Sequence, residues 1–285
     1  MTNKPFAKTQ ALGNDFLIYS VADVRAIDDP GEIARRMCDR KYGAGADGLV
    51  FFNRSEGQAP GAVSRIFNAD GSEAEISGNG TRCLAAYLYF AGICSDPDVE
   101  IATAAGIKRG KMLSREGSRY EFEFEMGEPR LSASDIPLAI GQDLDRVIGY
   151  PLNVGGKEFE VTCVSMGNPH CTLFWTGPEE PDVSEIGSQI ETHPIFPNRT
   201  NVEFVRIISE KEIEVAFWER GVGRTLSSGT GSSAAAIAAI LNGLTDRSVQ
   251  VNTAGGNLYV NWRDDNIVTL TGWAEVVYEG QWLRE

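Results

Sequence analysis

An internal repeat constrains the fold of this 285-residue chain more than any other feature of its sequence. The segment SGNGTRCLAAYLYFAG (77–92) is echoed 151 residues later by SGTGSSAAAIAAILNG (228–243). Both copies begin with Ser-Gly-x-Gly, continue as an apolar run and end in glycine. A helix without a polar face is a buried helix, and glycine commonly caps its C-terminus. The sequence therefore predicts two buried helices, 80–92 and 231–243, capped by Gly92 and Gly243.

Three further pairs of motifs keep the same order and nearly the same spacing. IFNADG (66–71) and FWERG (217–221) share the offset of 151, which pairs Asn68 with Glu219 and Ala69 with Arg220. GNDF (13–16) and GNPH (167–170) correspond at an offset of 154, and GADGLVFF and RTNVEFVR correspond at about 153. A repeat that spans several motifs in order indicates a duplicated fold with pseudo-twofold symmetry.

Most of the remaining chain consists of short β-branched and aromatic runs separated by glycine. Alternation in RYEFEFEMG (119–127) and EIEVAFWERG (212–221) is typical of half-buried antiparallel strands. Two more segments, 30–40 and 182–191, have a helical pattern. We therefore expect two halves, each wrapping strands around one central helix. The strand pattern breaks near Gly127–Ser134, so the predicted domains are 1–130 with a returning strand 274–285, and 131–273, with the active site in the cleft between them.

Composition excludes several classes of protein. The formal net charge is −14, which disfavours binding to nucleic acid or to an anionic membrane. There is no apolar run of 18 residues and no apolar signal core near the N-terminus, so we expect a cytoplasmic protein. Five cysteines without a CxxC pair and two isolated histidines give no sign of a disulfide framework or metal site. Nucleotide-binding glycine loops are also absent, so no cofactor is predicted.

The two glycine-headed helix starts indicate a site for a small anion. A helix N-terminus offers free backbone N–H groups and the positive end of the helix dipole, which favour a carboxylate or phosphate. If two such N-termini face each other, Ser77 and Ser228 lie on opposite sides of the ligand. That arrangement suits inversion of a carbon centre, in which one group removes a proton and another delivers one to the opposite face. The simpler interpretation is that each serine only caps its helix.

The polar residues around these motifs admit two interpretations as well. Asparagine beside glycine, as at Asn14 and Asn168, commonly forms a turn. Asn68 and Asn201 instead adjoin apolar strand runs, where an amide is better explained by a ligand. Arg220 offers a fork for a second carboxylate, and Glu219 could bind an ammonium group or lie at a solvated strand end. A pocket that contains amides, one acid and one base suits a zwitterionic ligand better than a phosphate.

The chain resembles the diaminopimelate epimerase family from Leu12 to about Trp273. The motifs that carry the resemblance are LGNDF, GAGADGL, FNADGSEAE, SGNGTRC, GNPH, HPIFPNRTNVEF, ERGVGRT and SGTGSSAAA. The resemblance implies a mixed α/β (α+β) fold of two domains, each a largely antiparallel, barrel-like sheet around a central helix. It implies an isomerase of lysine and peptidoglycan biosynthesis. Such an enzyme interconverts LL- and meso-diaminopimelate without pyridoxal phosphate or any other cofactor, and it can be a homodimer.

The resemblance also implies roles for particular residues. The substrate carboxylate at the reacting carbon would rest on the backbone of Gly78, Asn79, Gly229 and Thr230. Side-chain ligands of the substrate would be Asn14, Asn68, Asn168, Asn201, Glu219 and Arg220, with His170 beside them. The family has cysteine at the two catalytic positions, whereas this chain has Ser77 and Ser228. Since a hydroxyl is a far weaker acid than a thiol, we expect slow proton transfer from this pair.

Three hypotheses follow from this departure. The first is an epimerase that uses Ser77 and Ser228, whether the two serines are natural or were engineered to trap a ligand. The second is a natural paralogue, an isomerase or dehydratase acting on another amino acid. The third is a non-catalytic protein that binds an amino acid. Cys83 and Cys171 do not replace the missing thiols, because the sequence places Cys83 within a buried helix and Cys171 out of phase with Asn168 and His170.

Overall fold

The computed structural model describes residues 4–55, 61–74, 77–177 and 179–283. The chain divides into two compact units, Met1–Phe124 with Gly272–Glu285, and Glu125–Thr271. Residues 1–3 and 284–285, which belong to the predicted first domain, lie outside the described residues. None of the helices in the described part of the chain has both the length and the apolar character needed to cross a bilayer.

The elements of the first unit, in chain order, alternate strands with two helices. They are β1 (Lys4–Ala11), β2 (Asn14–Ser20), a 3-10 turn (Val24–Ala26), α1 (Pro30–Cys38), β3 (Gly48–Arg54), β4 (Ala62–Asn68), β5 (Glu73–Ala74), α2 (Gly78–Phe90), β6 (Asp98–Thr103), β7 (Gly106–Glu116) and β8 (Arg119–Gly127).

The elements that follow begin with one additional strand, β9, and then repeat this order of strands and α-helices. They are β9 (Val147–Val154), β10 (Lys157–Ser165), β11 (Pro169–Phe174), α3 (Val183–Glu191), β12 (Asn201–Ser209), β13 (Glu212–Glu219), β14 (Gly223–Thr225), α4 (Gly229–Leu241), β15 (Ser248–Thr253), β16 (Gly256–Trp262) and β17 (Val268–Trp282). The boundaries of the two units fall within β8 and β17.

The two central helices begin at the predicted serines. The Ser77 hydroxyl accepts the N–H of Gly80 at 3.0 Å, and the Ser228 hydroxyl accepts the N–H of Gly231 at 3.3 Å. Each serine has extended backbone and thus acts as an N-cap that satisfies an otherwise unpaired donor. Because the Gly-x residues already belong to the first turn, each helix begins two residues before the predicted start.

The predicted glycine caps are displaced by one residue. The C-cap residues are Ala91 and Asn242, and the glycines follow them with left-handed φ angles of 66° at Gly92 and 70° at Gly243. Each glycine N–H bonds back to a carbonyl of the last turn, at 3.2 Å in the first helix and 3.0 Å in the second. Glycine is suited to this position because a side chain would strain the backbone there.

The first unit is a closed barrel around α2. Strands β1, β2, β3, β4, β6, β7, β8 and β17 pair in that order, and β17 pairs again with β1. Most of these pairs are antiparallel, while β2–β3 and β4–β6 are parallel. Cys83, Leu84 and Leu88 of α2 are fully buried against apolar side chains of the strands. Outside the barrel, α1 packs Met37 onto a second apolar cluster with β3 and β4.

The second unit has the same arrangement around α4. Strands β9, β10, β11, β12, β13, β15, β16 and β17 follow one another in the sheet, again with a parallel pair (β11–β12) after the first hairpin. Ala234–Ala239 of α4 are completely buried. On the outer face α3 approaches β13 so closely that a Cβ at Gly187 would lie 2.7 Å from the side chain of Trp218. The structure confirms the predicted mixed α/β fold with two similar, helix-centred halves.

Candidate active site

The site in the first unit is built on the first turn of α2. Gly78 and Asn79 are its first two residues, and their N–H groups have no acceptor within the helix. The carbonyl of Ser77 accepts both the N–H and the hydroxyl of Thr81, at 2.9 and 2.8 Å. The Ser77 hydroxyl is half-buried and, within the described residues, its own proton has no acceptor. This hydroxyl can therefore donate a hydrogen bond or a proton to a ligand.

A directional chain of hydrogen bonds fixes two of the predicted asparagines. Arg82 donates to the Oδ1 atom of Asn79, Asn79 Nδ2 donates to Asn14 Oδ1 at 3.1 Å, and Asn14 Nδ2 donates to Asp47 Oδ2 at 2.8 Å. Each amide is thus held in one orientation, at the end of the β1–β2 hairpin and at the start of α2. The structure brings Asn14 and Asn79 together, as a shared site requires.

Arg82 is the largest fully buried side chain of this unit and was not predicted as a site residue. It is 1% exposed, its Nε atom has no hydrogen-bond partner, and it forms no ion pair with a described residue. Burial lowers the pKa of Arg82 to about 10, so the side chain still carries its charge at neutral pH. A basic residue inside an otherwise apolar helix was the sequence signal for it.

Two acids and two bases support the Asn14 hairpin. Asp15 pairs with Lys8 and with Arg40, and Arg40 also pairs with Asp47 at 2.8 Å. Burial alone would raise the pKa of Asp15, but hydrogen bonds from Arg40 and Lys8 outweigh burial and lower this pKa to about 2. Asp15 is therefore ionised at every physiological pH, and the network holds Asn14 through Asp47.

Asn68 is placed apart from the Asn14–Asn79 pair. It is exposed at the end of β4, and its Nδ2 atom donates to Ser72 Oγ at 3.0 Å within a turn. No hydrogen bond joins it to the other predicted residues in the described part of this unit. Its ligand role stays a prediction.

In the second unit, Ser228 is bound more tightly than its counterpart. It is 5% exposed, and its hydroxyl donates to Glu219 Oε2 at 3.0 Å while accepting the N–H of Gly231. Gly229 and Thr230, the first two residues of α4, offer unpaired N–H groups as in the first unit. The serine thus has a carboxylate in position to accept its proton, whereas among the residues that the structure describes no carboxylate accepts from Ser77.

A second polar chain runs beneath this helix start. His170 Nε2 lies 2.9 Å from Asn168 Oδ1, and His170 Nδ1 lies 2.6 Å from Glu203 Oε1. His170 and Glu203 are buried, and burial raises the pKa of the Glu203 carboxyl while the adjacent His170 opposes this shift. Glu203 was not predicted. Its sequence signal was a charged residue in the apolar strand run NVEFV.

The side chain of Asn201 forms its hydrogen bonds with main-chain groups. Its Nδ2 atom donates to the Pro169 carbonyl and its Oδ1 atom accepts the N–H of Arg220, both at 2.9 Å. Arg220 is exposed, and its guanidinium donates to the Asn198 carbonyl at 3.1 Å. Asn201 thereby fixes the backbone from which the Arg220 side chain extends.

Cysteine does not supply the missing thiols in the described structure. Cys83 is fully buried within its helix, as the sequence predicts, and Cys171 is fully buried in an apolar cluster as well. Burial raises the pKa of the Cys83 thiol to about 12 and also raises the pKa of Cys171. Neither thiol ionises at neutral pH. Within the described ranges, no group of three or more His, Cys, Asp or Glu side chains could hold a metal ion.

Each unit thus has a serine-headed helix start with unpaired N–H groups and with amide or charged side chains beside it. The family model of diaminopimelate epimerase matches residues 6–132 and 162–277. Diaminopimelate epimerases of Pelotomaculum thermopropionicum and Desulforudis audaxviator are 43% and 44% identical over 97% and 98% of this chain, and over 98% and 99% of their own lengths. The chain belongs to the diaminopimelate epimerase family.

Solved structures agree on the fold at much lower identity. A PhzF-family phenazine biosynthesis protein from Bacillus anthracis aligns over 100% of both chains with a TM-score of 0.66 and 16% identity. This likeness concerns architecture alone. The full-length relatives confirm the family resemblance and the isomerase class, and they do not favour the paralogue or the binding-protein hypothesis.

Proposed function

We propose that this chain inverts one α-carbon of diaminopimelate, LL to meso and back, by cofactor-independent proton transfer. The observation that carries the proposal is the pair of serines at the N-termini of the central helices, each with its hydroxyl against the first-turn N–H groups. The unpaired N–H groups of Gly78, Asn79, Gly229 and Thr230 would bind the carboxylate at the reacting carbon and stabilise the negative charge that develops there when the proton leaves.

The hydrogen bonds of the two serines support different roles. The proton of Ser228 is already directed at Glu219, so Ser228 Oγ can take the substrate α-proton while its own proton passes to Glu219. The free proton of Ser77 can be delivered to the opposite face of the carbon. In the reverse direction each step runs backwards, with Ser77 taking the α-proton and Ser228 recovering its proton from Glu219.

The charges around the serines support this division. Arg82 is a buried cation in the first turns of α2, which favours negative charge on Ser77 after it has donated its proton. Glu219 at Ser228 instead favours a proton there. We further propose that Asn14, Asn68, Asn168 and Arg220 bind the distal end of the substrate, that the enzyme works in the cytoplasm as part of lysine and peptidoglycan biosynthesis, and that it can dimerise.

In the test, LL-diaminopimelate is incubated with the purified protein at high concentration. Formation of the meso isomer is then measured by chiral separation. We expect slow conversion by the wild type and none by Ser77→Ala or Ser228→Ala. Because loss of an N-cap to alanine costs about 0.5–2 kcal/mol whereas glycine costs only a few tenths, Ser77→Gly and Ser228→Gly serve as second variants that keep the helix start.

The matched control is Ser188→Ala on α3, which removes a hydroxyl that bonds only the Glu185 carbonyl of its own helix. We expect wild-type conversion from it. Binding of diaminopimelate by the wild type without any conversion would reject the epimerase and support the binding-protein hypothesis. Conversion that persists in both glycine variants would show that the serines do not transfer the proton.

A further inference from the structure

His170 and Glu203 form a pair that is unusually costly to bury. Their side chains are 0% and 1% exposed, and they meet at 2.6 Å. Glu203 Oε2 and the Thr172 hydroxyl, which lies opposite Glu203 in the β11–β12 ladder, each have no hydrogen-bond partner of normal geometry among the described residues. A buried ionisable pair that is incompletely satisfied contributes little to stability, so its presence needs another explanation.

The first half of the chain provides an internal comparison. In the parallel pair β2–β3, Phe16 lies opposite Gly48 and Ile18 opposite Val50. In the corresponding pair β11–β12, His170 lies opposite Asn201, and Thr172 opposite Glu203. Phe16 and His170 are therefore equivalent, and so are Val50 and Glu203.

Phe16 and Val50 belong to the apolar core around α2. The same strand pair, packed under the same kind of glycine-headed helix, is thus built in the first half without any polar group at these positions. The space is equally tight in both halves, because a Cβ at Gly80 would lie 3.3 Å from Phe16 and one at Gly231 would lie 3.0 Å from Glu203. The architecture does not need the His–Glu pair.

The polar chain runs from Glu203 through His170 to Asn168, its half-buried end. Asn168 Oδ1 faces His170 Nε2 at 2.9 Å, and since an amide oxygen only accepts, this contact is a hydrogen bond when Nε2 carries the hydrogen. One further proton lies between His170 Nδ1 and Glu203 Oε1. With its oxygen engaged by His170, half-buried Asn168 has its NH2 group left over, and no described residue accepts from that group.

We propose that Glu203 is a positioning residue: acting through His170, it fixes the Asn168 carboxamide so that its NH2 group faces a carboxylate of the substrate. If the amide were reversed, its oxygen would repel that carboxylate. The inference rests on the proposed function for the identity of the ligand, but the orientation of the chain does not depend on a ligand.

The groups around Glu203 are consistent with this role. His170 and Thr172 face it from β11, Glu219 acts on it from β13, and the first turn of α4 lies above it at Gly231. Burial and Glu219 both favour the protonated carboxyl, while His170 favours the carboxylate. Nε2 carries a hydrogen both when a protonated Glu203 donates to Nδ1 and when an imidazolium donates to the carboxylate, and in both cases it can donate to Asn168 Oδ1.

The first test reads the protonation of His170 directly. The chain has only two histidines, His170 and His193, so 15N-histidine labelling gives two ring systems, and His170→Phe assigns them. We expect long-range 1H–15N correlations of the ligand-free protein at pH 7 to show His170 Nε2 protonated, with His193 as the reference. A bare Nε2 would mean that the Asn168 NH2 group turns inward, and this result would overturn the proposal.

The second test makes the pair apolar, as it is in the first half. The double variant His170→Leu, Glu203→Val should have a Tm close to that of the wild type. Leucine replaces phenylalanine here because the Phe16 ring lies so close to its partner Gly48 that a Cβ there would be 2.9 Å away, and the equivalent partner of His170 is Asn201. We expect its Kd for an equilibrated mixture of LL- and meso-diaminopimelate, measured by calorimetry, to rise about tenfold. Glu203→Gln should retain wild-type binding, because its amide can donate to Nδ1 and leave Nε2 protonated.

A cycle with Asn168→Ala separates positioning from a general loss of structure. If Glu203 acts through Asn168, the apolar double change should add no further loss of affinity in the Asn168→Ala background. Glu214→Gln, which removes a carboxylate paired with Arg206 on β12–β13, is the control and should bind as the wild type does.

The outcomes distinguish the two proposals. A double variant with wild-type affinity would show that the pair does not position Asn168, and one with a Tm lower by many degrees would show that the pair is structural. Either result would overturn the inference. A wild-type protein that binds no diaminopimelate would overturn the proposed function, and the ring protonation of His170 would still decide the orientation of the chain.

Discussion

Glu219→Gln should abolish most of the turnover while leaving the fold intact. The amide has the shape of the carboxylate but can neither accept the Ser228 proton nor carry charge. The contact is 3.0 Å long and Ser228 is 5% exposed, so water cannot readily replace the lost acceptor. A positioned general base contributes about 10²–10⁴-fold to a rate, and we expect kcat to fall by about that factor.

The assay is steady-state epimerisation, with kcat and KM determined separately. The sequence predicted that Glu219 binds an ammonium group of the substrate, and in that case KM rises while kcat changes little. Glu214→Gln on the same strand is the matched control. Unchanged kcat in Glu219→Gln would refute the assignment of Glu219 as the acceptor of the Ser228 proton.

Three further predictions concern the proton-transfer pair, the hairpin and the distal ligand. The double change Ser77→Cys, Ser228→Cys should raise the rate of epimerisation at pH 8 by at least about 10²-fold, because a thiol with a pKa of about 8.5 is far closer to ionisation than a hydroxyl; a rate at or below that of the wild type would contradict this. The pKa of Asp15, lowered to about 2 by its basic partners, stabilises the fold above pH 4, and this contribution is lost as the pH falls towards 2. Asp15→Asn should therefore lower the free energy of unfolding in urea by about 2 kcal/mol at pH 7 but not at pH 2, and an equal loss at both pH values would exclude the ionic explanation. Arg220→Ala should raise the Kd for diaminopimelate about 10- to 100-fold in calorimetry, and unchanged affinity would remove Arg220 from the ligand set.

The fold could be predicted largely because the repeat carries its own evidence. An apolar helix that begins with Ser-Gly-x-Gly must be buried by surrounding strands, and the two copies of the motif indicate the same arrangement independently. The predicted helix starts were two residues too late, because a glycine-rich segment has low helix propensity and resembles a loop in sequence. The two- and three-residue strands β5 and β14 were not predicted, since they are too short to show the alternation that marks longer strands.

The site was less predictable because hydrogen-bond partners are not encoded in spacing. The position of Ser228 was predicted, but its bond to Glu219 depends on how the end of β13 approaches α4. Asn201 was expected to face a ligand and instead binds the main chain at Pro169 and Arg220. Glu203 passed unnoticed in a strand run, although a charge among buried apolar neighbours is the pattern that marks such a residue.

Deuterium incorporation tests the central claim, two-base proton transfer by Ser77 and Ser228, most directly. LL-diaminopimelate is incubated with the protein in D2O, and the α-deuterium of the meso product and of the recovered LL substrate is measured by mass spectrometry at early times. The account predicts that each product molecule gains one deuterium, delivered by the serine on the opposite face, while the recovered substrate stays protonated. Equal deuterium in both isomers, or none in the product, would contradict it.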